Sequence, residues 1–94
     1  MLRTDVALTV QTMVYGALER TAAVLKAVVE NPFRAPTRVM TFSGVAYGFL
    51  RFLLDAELVE ITGEKHYGKR LRITDKGHVF LKHYIMLEKL FPES

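Results

Sequence analysis

The chain has 94 residues, 50% of them apolar, no cysteine, and a formal net charge of +3 from 13 Lys and Arg against 10 Asp and Glu. That length makes one domain with an adequate core, and the apolar content argues for folding rather than disorder. The lack of cysteine excludes disulfides, thiolate zinc sites and cysteine nucleophiles. A pI of about 9.4 is a mild bias toward polyanionic partners. The bias is local: residues 37–74 carry six bases against four acids, whereas residues 75–94 are balanced at three each.

The N-terminal stretch MLRTDVALTVQTMVYG is apolar, but Asp5 and Gln11 interrupt it and no uncharged span of 18 residues exists, so the reading is a cytoplasmic protein with no secretory leader or membrane span. Val6, Val10, Met13, Val14, Ala17, Leu18, Ala22, Leu25, Val28 and Val29 keep a helical period up to Asn31, with Thr4 as N-cap. One helix with a bend near Gly16 is the preferred reading. The competing one makes the Thr- and Val-rich stretch Val6–Tyr15 a strand. Either way Val6, Val10 and Met13 offer more apolar surface than a monomer of this size buries, which marks them as a dimer contact.

Asn31-Pro32 stops the helix, and residues 33–36 are a linker. Pro36 suits a helix start, giving a short helix over Thr37–Thr41 with Val39 and Met40 inward. Phe42-Ser43-Gly44 reads as a turn, with Ser43 capping a longer helix that runs to Ala56. In that helix Ala46, Phe49, Leu50, Leu53 and Leu54 form a buried stripe, opposite Gly44, Tyr47, Gly48, Arg51 and Asp55. Leu58–Thr62 and Arg70–Thr74 alternate apolar with polar residues and pair as a hairpin. From Lys65 to Arg72, both included, there are four bases and no acid. Thr74 or Asp75 caps a last helix, on which Phe80, Tyr84, Leu87 and Phe91 make one seam, Leu81, Ile85 and Leu90 another, and after which Pro92 is the stop. One seam can face the domain; the other is left for a partner.

Two motifs carry a resemblance. LLDAELV at 53–59 looks like the exit of the recognition helix, and RLRITDKGHVFL at 70–81 is similar to the Y-x-L-T-x-K-G-x-x-x-L that closes the wing, in small archaeal and bacterial winged helix-turn-helix transcriptional regulators. The resemblance covers about Ala17 to Phe80, with Glu57 standing where the family has Gly. It implies a mostly α fold with a small antiparallel β-hairpin. This would be a single winged-helix domain over 1–94, with residues 1–16 an N-terminal extension and 75–91 a C-terminal dimerisation helix.

On that footing Arg51 is expected to take a guanine edge or a phosphate, and Tyr47 a phosphate or a thymine methyl. Gly44 and Gly48 let the helix backbone, begun at Ser43, approach DNA or another helix. Lys65, Lys69, Arg70 and Arg72 make one phosphate-binding surface, His66 and Tyr67 are candidates for a minor groove, and Arg38 is a backbone contact. The expected partners are double-stranded DNA and a second copy, joined through Val6, Val10, Met13, Phe80, Tyr84, Leu87 and Phe91. His66, His78 and His83 have no metal spacing, and no phosphate loop, activated serine or carboxylate pair is present, so neither metal, cofactor, small-molecule ligand nor enzymatic activity is expected. A winged helix serving protein interaction, or a low-specificity chromatin-type DNA binder, are the alternatives.

Overall fold

The computed structural model describes residues 2–63 and 68–91, with side-chain environments from Gly16 onward. Four helices and one hairpin follow in the order α1 (Leu2–Glu30), α2 (Pro36–Ser43), α3 (Phe49–Asp55), β1 (Val59–Thr62), β2 (Arg70–Ile73) and α4 (Asp75–Leu90). α1 runs for 29 residues without a break at Gly16, so the strand reading of Val6–Tyr15 is corrected. Helical periodicity outweighs the β preference of the Thr and Val residues there. At 1.5 Å per residue α1 is about 44 Å long. This explains extents of 55 × 27 × 21 Å and a radius of gyration of 15.2 Å, where a compact chain of this length has about 12 Å.

The core is built where α1 crosses the other elements. Thr21, Val24, Leu25 and Val28 fall at helical spacing on one face of α1 and are buried, with the Thr21 hydroxyl satisfied by donating to Ala17 O at 2.7 Å. Against them pack Val39 and Met40 from α2, Leu50 and Leu53 from α3, Leu58, Val59 and Leu71 from the hairpin, and Leu81 from α4. Each large side chain removed from water contributes on the order of 1.5–3 kcal/mol.

The helix-turn-helix differs in its boundaries from the sequence reading. Pro36 begins α2 after Ala35, which is extended at φ −64° and ψ 148°, as the residue before proline must be. α2 then reaches Ser43 and closes at Gly44, whose φ of 73° is left-handed and whose N–H donates to Thr41 O at 3.2 Å. Ser43 therefore ends one helix instead of capping the next. Its hydroxyl donates to Met40 O at 2.7 Å and accepts from Val45 N at 3.1 Å. The chain next turns through bonds from Phe49 N to Ala46 O and Leu50 N to Tyr47 O, both 3.0 Å. These span three residues, so α-helix proper starts only at Phe49, and Ala46 is exposed rather than part of a buried stripe.

α3 leaves through two bonds, Glu57 N to Leu54 O and Leu58 N to Leu53 O, each 3.0 Å. This is the double C-terminal closure that places its central residue in the left-handed region. Glu57 sits there at φ 61°. β1 and β2 pair antiparallel with Glu60 opposite Arg72 and Thr62 opposite Arg70. Leu71 N, pointing out of this pair, donates to Arg34 O at 3.0 Å, so the linker adds a single rung to the sheet.

Thr74 joins three elements: its N–H donates to Leu58 O at 3.1 Å, its hydroxyl donates to Glu57 O at 2.6 Å, and the same oxygen accepts from Gly77 N at 3.0 Å to cap α4. Gly77 is buried at this junction. A Cβ on it would run into the Leu58 carbonyl oxygen and Ile73 Cγ1. Among the described residues no helix is long and apolar enough to cross a membrane.

Candidate nucleic-acid interface

The side chains offered by α2, the turn and α3 are set by which faces the core has taken. Val39 and Met40 are inward on α2, which leaves Arg38 exposed. On α3 Leu50 and Leu53 are inward, so Arg51, Phe52 and Asp55 face outward, with Tyr47 and Gly48 exposed in the turn before them. Arg38, Gly44, Tyr47, Gly48 and Arg51 of the sequence-predicted set are thus exposed, and Ser43 is half-buried.

Arg51 is not solitary. Its Nε lies 3.2 Å from Oδ1 of Asp55, four residues on, with side-chain exposures of 84% and 67%. Phe52 stacks at a 30° tilt on Phe49, ring centroids 5.0 Å apart. Behind them a cavity of about 590 Å³ is lined by Arg20 of α1, Gly44, Val45, Ala46, Gly48, Phe49 and Phe52.

On the hairpin, Leu71 is buried and Ile73 half-buried, so Arg70 and Arg72 point to the opposite face and are exposed along with Lys69. The Arg70 guanidinium lies over Gly68. Arg72 Nε is 3.8 Å from Oε1 of Glu60, its cross-strand neighbour. Lys65, His66 and Tyr67 lie outside the described residues. A second cavity, about 510 Å³, lies where Val28, Val29, Pro32 and Phe33 meet the hairpin. Phe33 is largely exposed there, at a left-handed φ of 66°.

The sequence reading placed Asp55 on the stripe of Arg51 without pairing the two, and it passed over Glu60. Each had a signal: Asp55 is four residues from Arg51 on a helix, and counting the hairpin register places Glu60 opposite Arg72. It also passed over Arg20 and Arg34, whose positions depend on tertiary packing.

The C-terminal seam splits. Phe80 packs on the core and stacks on Tyr84 at 6.2 Å between centroids, while Lys26 of α1 lies over the Tyr84 ring at 5.6 Å and pairs with Glu88 at 3.1 Å. These two aromatics therefore serve contacts within the domain. Leu87 and Phe91 are exposed, as are Met86 and Leu90.

Two helices joined by a tight turn, followed by an antiparallel hairpin whose base is locked to the next helix, define a winged helix-turn-helix. Solved structures agree with it. Over 95% of this chain and 72% of theirs, a protein of unknown function from Listeria innocua Clip11262 superposes with a TM-score of 0.62 at 17% identity. A MarR family transcription regulator does so with a TM-score of 0.60 at 13% identity, over 95% of this chain and 71% of its own. Staphylococcus aureus MarR, in a complex with salicylate and kanamycin, gives 0.61 at 16% identity over 74% of this chain. The chain spans about half of that protein, 51% of its length. At these identities the likeness is one of fold. No family model matches the chain, and no curated protein does.

Proposed function

We propose that this protein is a homodimeric transcriptional regulator, acting in the cytoplasm, that binds double-stranded DNA with sequence selectivity. In this reading α3 and the turn before it enter the major groove, and the hairpin lies along the flanking backbone or minor groove. The observation that carries it is the distribution of unpaired bases on a winged-helix frame: Arg38 on α2 and Lys69 and Arg70 on the wing are exposed and have no acid partner among the described residues. Such cations suit phosphates, which fix position, while the side chains of α3 are left to read base edges. Val6, Val10 and Met13 of α1, and Leu87 and Phe91 of α4, supply the dimer contact.

The exposed aromatics Phe42, Tyr47 and Phe52 favour a second reading, a winged helix that docks another protein. Affinity for random duplex DNA measured against salt separates the two. Three to five phosphate contacts per protomer give a log–log slope of about −3 to −4.5, whereas a protein-docking module gives weak binding with no regular slope. Selected sequences then distinguish a regulator from a low-specificity coater, since specific sites win by ~10³ or more.

A further inference from the structure

Of the three ion pairs among the described residues, two hold an arginine of the surface just assigned to DNA, and the one on α3 has no stabilising rationale. Asp55 is the last residue of α3. An acid there faces the negative end of the helix dipole. Its partner precedes it by four residues, and base before acid is the weaker order for a helical pair. At 67% side-chain exposure the carboxylate also receives no hydrogen bond besides that of Arg51 among the described residues. Stability would be served as well by a neutral residue.

Resting on the reading of α3 as the base-reading element, we propose that Asp55 is a specificity-determining residue, an internal counter-charge that Arg51 exchanges only for a matching base pair. A phosphate can satisfy the guanidinium, but it leaves Asp55 unpaired beside a polyanion. A guanine satisfies Arg51 through O6 and N7, and the exocyclic amino group of a neighbouring cytosine or adenine can donate to the freed carboxylate. Non-cognate DNA is therefore disfavoured twice, and a cognate step is compensated twice. Specificity arises from a repulsive element as much as from an attractive one.

The test compares the unmodified protein, Asp55→Ala, Arg51→Ala and the double variant on random duplex and on a site selected from a randomised pool. Asp55→Ala is expected to bind random DNA about 3- to 10-fold more tightly, with a salt slope steeper by about 0.9 per protomer as Arg51 gains a phosphate. Its preference for the selected site should fall by about ten-fold or more. In the Arg51→Ala background the same change should lower that preference by clearly less than it does alone, because the exchange with Arg51 is already gone. Equal gains on both DNAs would make Asp55 a generic repulsive charge and overturn the proposal. A lowered melting temperature of Asp55→Ala would make it a structural residue, with the same result. Absence of salt-dependent DNA binding by the unmodified protein would instead overturn the reading on which the proposal rests.

Discussion

Glu57 and Gly77 show how a single backbone position can be tested. The α3 exit requires a left-handed residue, and Glu57 meets that requirement at φ 61° where glycine would be free of the cost, about 1 kcal/mol or somewhat more for a side chain. Glu57→Gly should raise the melting temperature by a few degrees, as ~1 kcal/mol does in a domain of this size; thermal unfolding by circular dichroism measures it. Gly77→Ala should do the opposite. The added methyl meets the Leu58 carbonyl and Ile73, so the loss should be about 1–3 kcal/mol, as for overpacking elsewhere, read by denaturant midpoint. The exit glycine position was legible in the motif LLDAELV because it reflects local geometry. The need for glycine at 77 was not, since it comes from a carbonyl nineteen residues earlier in the chain.

Among the elements, the hairpin was the most legible and α3 the least. Alternation along 58–62 and 70–74 placed both strands to within a residue, because strand parity is read directly from the side chains that the core accepts. The helix expected over Ser43–Ala56 proved to be Phe49–Asp55. Ser43 and Gly44 offer the same residue types for ending a helix as for starting one, and the hydrogen bonds of Ser43 to Met40 and Val45 decide between them. The wing's charges can be examined separately from α3. Replacing Lys69 and Arg70 by neutral residues should weaken binding to all sequences about equally and flatten the salt slope by about two units per protomer. Arg51→Ala should instead cost about 1–3 kcal/mol on a preferred site and much less on random DNA. Competition titrations at several salt concentrations distinguish these two patterns.

At the scale of the whole molecule, among the described residues a run of exposed apolar side chains closes α4, where Met86, Leu87, Leu90 and Phe91 are exposed, the last two by 73% and 71%. The periodicity of 80–91 singled out Phe80, Tyr84, Leu87 and Phe91 as the spare seam; it did not show that Phe80 packs on the core and that Lys26 of α1 claims Tyr84 and Glu88. Leu87→Glu with Phe91→Glu should yield a folded monomer, since a charge in the contact cannot be desolvated without a partner. Sedimentation velocity of both proteins at tens of micromolar tests this, and a monomeric unmodified protein would refute it. A two-fold dimer should prefer inverted half-sites about 10 base pairs apart or a multiple of that.

Thr74 gives that spacing a mechanical meaning. Because its backbone and hydroxyl fasten the exit of α3, the end of β2 and the first turn of α4 together, the base of the wing has no joint. A tilt imposed on α4 would pass through these three bonds toward α3 and the hairpin. In a paired molecule the angle between two copies of α4 would then set the distance between two copies of α3, and the gauge of the site would be held by one threonine at the fulcrum.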